Sequence, residues 1–346
     1  MVKSEKTAEF KAVCAKVALI MVFFFAGAIV CLLIVSYVHV NFAEQLGVTG
    51  SYMSRLILSA VFLQAIPSIT AVSVFKFRSD SLYKKPPRLA KALGNFPAMY
   101  GLGQIPNLLF FLVIWIIMSF QSKQEDMARA FGGMESVFPP NIICAIALFI
   151  YAVFIAAFFE EFLCRGVILH VLKPYGNGFA VIISGLLFGL MHGNVHQFIY
   201  AFVLGIVLGY ITIQTGSILA STILHAMFNS IGGIMLLLMS TRSVQDYMFG
   251  GGEEGEVLVR NSGVMAAYGM FYVMFFILVI SGIALAIKRL FRLKRYKFEN
   301  DFTEITTKQK FVTFFVSVPA VIMLILVIDR FAGGFIASKI FQLLKL

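Results

Sequence analysis

The chain has 346 residues, 60% of them hydrophobic and only 13% charged, with 37 Phe against a single Trp. A water-soluble core of this length cannot hide so much apolar surface, so the bilayer is the solvent. The formal charge of +11 does not indicate a nucleic-acid partner, because the basic residues fall between apolar stretches, where they set topology.

In chain order, the apolar segments predict helices over about 12–38, 56–76, 98–120, 143–171, 179–193, 197–213, 217–239, 264–287 and 311–328. Most reach the ~20 residues needed to cross the hydrocarbon core, while the fifth and sixth are short. The expected fold is all-α, a polytopic membrane bundle of about 8–9 transmembrane helices. The first segment contains Lys16 and has no small-residue cleavage site after it, so it reads as a retained helix. Cys14, Cys31, Cys144 and Cys164 stand singly in apolar runs, which indicates neither a thiolate zinc site nor disulfides.

The loops alternate in charge. One side receives Lys3, Lys6 and Lys11, then Arg78, Lys84, Lys85, Arg88 and Lys91, then Lys173, then the cluster from Lys288 to Lys297. The other receives Glu44, then Glu125, Asp126 and Glu135, and later Asp246, Glu253, Glu254 and Glu256. The positive-inside rule makes the amino terminus cytoplasmic and, with nine spans, the carboxyl terminus external. The tail from Arg330 to Leu346 is too poor in apolar residues to cross again and is expected along the surface. The Gly-rich acidic loop from Ser240 to Ser262 reads as solvated, and the basic hairpin 285–310 as able to touch anionic lipid headgroups. Three regions follow: N-terminal helices with a basic loop (1–139), a chemically distinctive core (140–240), and an acidic loop with the last helices (241–346).

The core carries the chemistry. Between Ile142 and Leu169 the only charges are Glu160, Glu161 and Arg165. An ionised carboxylate at membrane depth costs on the order of 3 kcal/mol or more, so an adjacent pair needs a partner or a task. Arg165, one helical turn after Glu161, neutralises that residue and leaves Glu160 as the acid without a local partner. From Pro174 to Thr241 there is no charged residue, yet His192, His196 and His225 lie there, with His170 just before. Phe188 and His192 share one helical face, as do His225 and Asn229. At 1.5 Å per residue, Glu160, His192 and Asn229 all fall about 18–20 Å from the cytoplasmic ends of their helices, with His225 at about 12 Å. Three spans thus deliver polar groups to one level. His170 reads as interfacial, and His196 as facing the external loop.

Glu160-Glu161-Phe162-Leu163-Cys164-Arg165 resembles the EExxxR motif of the CAAX protease and bacteriocin-processing family of intramembrane proteases. Phe188-Gly189-Leu190-Met191-His192 resembles its FxxxH motif, and His225-Ala226-Met227-Phe228-Asn229 its HxxxN motif, in the family's order. The resemblance covers about residues 140–240. It implies an intramembrane endopeptidase in which Glu160 is the general base that activates water. His192 and His225 bind or orient that water, directly or through a divalent metal such as zinc. Asn229 stabilises the oxyanion, and Glu161 and Arg165 support the site. The implied partners are membrane lipids and an apolar or lipidated peptide substrate.

Two other readings use the same residues. Intramembrane Glu and His also build proton relays in transporters, although no repeat of the pattern in a second half supports that. A binding-only immunity protein, keeping the protease fold against a bacteriocin, is the other.

Overall fold

The computed structural model describes residues 2–76, 82–86, 89–120, 139–241, 244, 262–293 and 304–332, with isolated residues 336, 339, 340 and 343 near the end. Every regular element among the described residues is helical, as hydrocarbon requires of a chain whose backbone groups must be satisfied internally.

The first helical stretch, Val2–Ser59, continues through a π-helical segment, Ala60–Ala65, into Ile66–Phe75. It is not one rod. Gly47, at φ 61° and ψ −177°, occupies a backbone region open essentially to glycine alone, and there the chain turns back. The two arms, α1 (2–46) and α2 (48–75), run antiparallel. Lys16 lies 5.9 Å over the Phe75 ring, a Cβ added to Gly27 would stand 3.0 Å from the Phe62 carbonyl oxygen, and Cys31 and Ser59 line one cavity between the arms.

The remaining helices are α3 (Phe96–Phe120), α4 (Ile142–Tyr175), α5 (Asn177–Met191), α6 (Val195–Thr215), α7 (Ile218–Met239), α8 (Ser262–Leu293), α9 (Thr307–Phe315) and α10 (Val318–Phe331). Polar residues mark several starts. The side chains of Asn141, Asn194, Ser217, Thr306 and Ser317 each accept from a backbone N–H of the first turn. Helices in lipid associate through close packing, since expelling water contributes nothing between them. Glycine supplies the close approach twice. A Cβ on Gly205 would lie 2.8 Å from the Gly185 Cα, where α5 crosses α6, and one on Gly101 would collide with the Gly282 backbone, where α3 crosses α8.

Two apolar clusters result. One joins α1, α4, α5 and the last helices through Phe10, Ile20, Leu163, Ile183 and Phe314. The other joins α3, α6 and α7 through Met99, Leu204, Leu224 and Phe228. Helix α4 feeds both, with Leu163 in the first and Cys164 in the second, so its polar residues lie at the seam.

The stretches expected on one side of the membrane do meet at one end of the bundle. Lys6 pairs with Glu304 at 3.3 Å, Arg289 bonds Asn95, and the Ile218 amide donates to the Leu82 carbonyl at 3.0 Å. Lys310, expected in the lipid-facing basic hairpin, is instead 1% exposed and donates to the Tyr175 carbonyl at 2.7 Å. It caps the C-terminal end of α4, where the helix dipole favours a cation. At the opposite end Asn141 donates to Thr49 at 2.8 Å.

Among the described residues, six helices are long and apolar enough to cross a bilayer, or seven if α9 and α10, bent by 70°, form one broken span. That is fewer than the eight or nine expected. The difference has two causes: α1 and α2 count as one continuous 71-residue helix, and α5 is shorter than a spanning helix. The acidic stretches 121–138 and 245–261, the basic residues 294–297 and most of the tail after 332 lie outside the described residues.

The glycine crossings predict a contrast. Gly101→Ala should lower the melting temperature in detergent, because its methyl meets backbone. Gly232→Ala, with nothing within 4 Å, should be neutral or stabilising by about 0.5–1 kcal/mol through helix propensity. Equal effects at both positions would show that the crossing is not tightly packed.

Candidate active site

Helix α4 is irregular where its charges sit. The turn Ala157–Glu161 is α-helical, flanked by π-helical segments Tyr151–Ala156 and Phe162–Leu169, an irregularity frequent at functional sites. Neighbouring residues on a helix point about 100° apart, so the two adjacent carboxylates differ in burial. Glu161 turns into the bundle and is 0% exposed, whereas the Glu160 side chain keeps 15% of its surface.

Glu161 is engaged through one oxygen, while its Oε2 is buried without a hydrogen-bond partner. Its Oε1 accepts from Arg165 Nη1 at 2.6 Å and lies 3.0 Å from His225 Nδ1. Arg165, equally buried, also donates from Nη2 to the Gly205 carbonyl at 3.0 Å, and its guanidinium carbon stands 4.4 Å from the centroid of the Phe188 ring. The close approach of α5 and α6 at Gly185 and Gly205 brings that carbonyl within reach. An ion pair desolvated to this degree survives through such added hydrogen bonds and ring contacts.

Phe188 is the hub of the site. Beside the guanidinium, its ring makes edge contacts with His192 at 5.1 Å and His225 at 5.3 Å. Both imidazoles are held in one tautomer. His192 Nδ1 lies 2.9 Å from the Phe188 carbonyl, which only accepts, so Nδ1 carries the hydrogen. His225 Nδ1 faces the Glu161 carboxylate in the same way. In the neutral form of each ring the lone pair is then on Nε2. Glu160 completes the cluster, with Oε2 3.8 Å from His225 Nε2 and Oε1 accepting from Gln64 Nε2 at 3.0 Å. His192 lies within electrostatic reach of both Glu160 and His225.

Of the residues singled out by sequence, Glu160, Glu161, Arg165, His192 and His225 come together. Asn229 is anchored at another turn of α4: its Nδ2 donates to the Ala152 carbonyl at 2.8 Å, tying α7 to the first π-helical segment of that helix. His170 is exposed near the end of α4. His196, expected toward the external loop, is half-buried among Phe110, Phe111 and Tyr200, with ring centroids 4.8–5.8 Å away. Sequence reasoning missed Gln64, and so gave Glu160 no partner. The only signal was one amide in the apolar run from Leu56 to Val74. Tyr83, in the 82–86 loop, stacks on Phe158 at 5.6 Å, and burial pushes its phenol up to about 12, so it stays protonated near the site.

The donors were tested for a metal. The two tautomers suit one, because a ligating imidazole ordinarily gives its other N–H to a carboxylate or carbonyl. Yet no group of three or more His, Cys, Asp or Glu is arranged to hold an ion among the described residues, and a catalytic zinc ordinarily takes three protein ligands.

The buried ion pair predicts a structural phenotype. Arg165→Ala leaves Glu161 uncompensated and should cost about 3–5 kcal/mol, read as loss of folded protein in detergent. Adding Glu161→Gln should recover part of that loss. If the single variant melts like the wild type, the pair is not what holds α4 to α6.

Residues 142–231 match the family described as Rce1-like, type II CAAX prenyl endopeptidase. No curated protein and no solved structure matches the chain. The matched segment contains the EExxxR, FxxxH and HxxxN motifs on α4, α5 and α7, while the α1–α2 hairpin, α3 and the last helices lie outside it. The likeness to the CAAX-type intramembrane proteases therefore rests on this segment, about a quarter of the chain.

Proposed function

We propose that the chain is an intramembrane endopeptidase that hydrolyses an apolar or lipid-associated peptide, with Glu160 as the base that activates water. The observation that carries this reading is the unlike treatment of two adjacent carboxylates. Glu161 is neutralised by Arg165 and bonded to His225, whereas Glu160 remains partly open beside Nε2 of His225. A carboxylate with a free oxygen beside the reacting centre is the group placed to take the proton that water gives up.

The steps follow from these positions. Water gives one hydrogen bond to Glu160 Oε2 and the other to a histidine Nε2, which leaves its oxygen lone pair free to attack. Glu160 takes one proton as the water oxygen bonds to the scissile carbonyl carbon. The C–N bond then breaks, and the same proton passes from Glu160 to the leaving amine. The developing oxyanion needs a donor aimed at it. We assign this to Asn229, whose amide has a second hydrogen beyond the one given to Ala152. We also propose for the two Nε2 atoms the role of ligands to a divalent cation such as zinc, which would act on bound water as a Lewis acid. With two fitting donors rather than three, no step above depends on it.

The substrate enters from the membrane or from the cytoplasm. The basic end of the bundle is assigned to the cytoplasm, which puts the amino terminus inside. Lys84 is exposed at that end and Glu44 at the other, and the four native cysteines are buried. A membrane-impermeant thiol reagent should therefore label Lys84→Cys only in inverted vesicles and Glu44→Cys only in right-side-out cells. The reverse pattern would turn the topology over.

Glu160→Gln should fold and insert normally while losing at least about 10²-fold in peptide cleavage, the scale of general-base catalysis. Full proteolysis by the purified variant would refute water activation by this residue. A toxin-protection phenotype that survives Glu160→Gln would instead favour binding-only immunity. Exhaustive chelation followed by zinc restoration separates the metal-assisted form from the metal-free one.

A further inference from the structure

Glu160 receives a hydrogen bond from outside the family-matched segment. Gln64 sits on α2, in the π-helical segment Ala60–Ala65, and is 5% exposed. Its neighbours from Val61 to Ile66 are otherwise apolar. Burying an amide in hydrocarbon costs several kcal/mol if it finds no partner, and this one is satisfied within the site. Its Nε2 donates to Glu160 Oε1 at 3.0 Å and stands 3.5 Å from the Tyr151 hydroxyl. Tyr151 opens the first π-helical segment of α4, so the amide is gripped from the same helix that carries Glu160.

The geometry divides the Glu160 carboxylate in two. Oε1 belongs to Gln64, while Oε2 is turned toward His225 Nε2 at 3.8 Å. An unrestrained glutamate has three rotatable side-chain bonds and would present either oxygen. With one oxygen fixed by a buried donor, the other is held in a single direction, and a displacement of ~1 Å at such a group can cost on the order of 10²-fold in rate. The second π-helical irregularity contributes here, since Ala60–Ala65 widens α2 where Gln64 must reach across to α4.

We propose that Gln64 is a positioning residue for Glu160, so that the α1–α2 hairpin completes the active site of the matched segment. The proposal rests on the reading of Glu160 as the base, and its test separates the two. Gln64→Met keeps length and volume but removes the donor. It should lower kcat by about 10–100-fold and leave KM within about 3-fold, because substrate contacts are untouched and only the reacting carboxylate is freed. A general packing defect would instead reduce the folded fraction and leave kcat per folded enzyme unchanged, which would overturn the proposal.

A double-variant cycle adds an independent readout. Glu160→Asp keeps a carboxylate but withdraws it from Gln64. If Gln64 acts through Glu160, adding Gln64→Met in that background should cost less than 3-fold, well short of additivity. Additive losses would overturn the positioning role even with kcat lowered. Should Gln64→Met fold poorly, Tyr151→Phe serves as the second variant. It frees one side of the amide without touching Glu160, and a fall in kcat of at least 3-fold is expected; unchanged kcat there, with Gln64→Met unfolded, would count against the proposal. Glu160→Gln run in parallel keeps the failures distinct. If it is active, the base reading falls. If it is dead while Gln64→Met has wild-type kcat, only the positioning role falls.

Discussion

The pair of Glu161 and Arg165 is the contact around which the rest of this bundle is arranged. Two opposite charges held at 2.6 Å with no exposed surface are tolerable in an apolar interior only when neighbouring groups answer them. The answers come from separate helices: His225 from α7, the Gly205 carbonyl from α6 and the Phe188 ring from α5. Each then has a second effect. The bond to Glu161 fixes the tautomer of His225, and Phe188 orders His192. A group that would be ruinous alone has thus become the keystone that registers four helices against one another.

This also explains why the acids differ although they are neighbours in sequence. One is closed into the ion pair and one stays partly open beside the histidines, and the 100° step between successive helical residues separates the two positions. The π-helical segments on either side set off the turn on which they sit. Small residues do the corresponding work between helices, since Gly185 and Gly205 bring α5 and α6 close enough for a carbonyl to reach a guanidinium.

Much of this was legible in the chain itself. Charge is so scarce from Ile142 to Thr241 that each polar residue stands out, and i to i+4 spacing pairs Glu161 with Arg165 and Phe188 with His192 without any coordinates. The apolar segments gave an all-helical membrane bundle for the same reason. What escaped was long-range. Gln64 lies 96 residues from Glu160, and nothing local distinguishes one amide on an apolar helix from a harmless one. Spacing put Asn229 on the face of His225, but not the turn of α4 it would meet, because the π-helical segments shift the register that a 3.6-residue period assumes. The merger of the first two segments into one hairpin turned on the backbone angles of Gly47, which composition does not reveal.

The hairpin has a length that its neighbours lack. The α1 arm, residues 2–46, rises about 68 Å, against roughly 40–45 Å for a whole bilayer with its headgroups, whereas the α2 arm, residues 48–75, rises only about 42 Å. Lys16 lies over the Phe75 ring at the foot of α2, so the first turns of α1 run on past it, and there Phe10 and Cys14 pack against the other helices. Near the tip, Thr49 is bonded to Asn141 at the start of α4, and halfway down α2 Gln64 is bonded to Glu160. The hairpin is thus fastened to α4 at two heights like a splint, and a push on its tip is carried along a paired helix to the amide that holds the carboxylate.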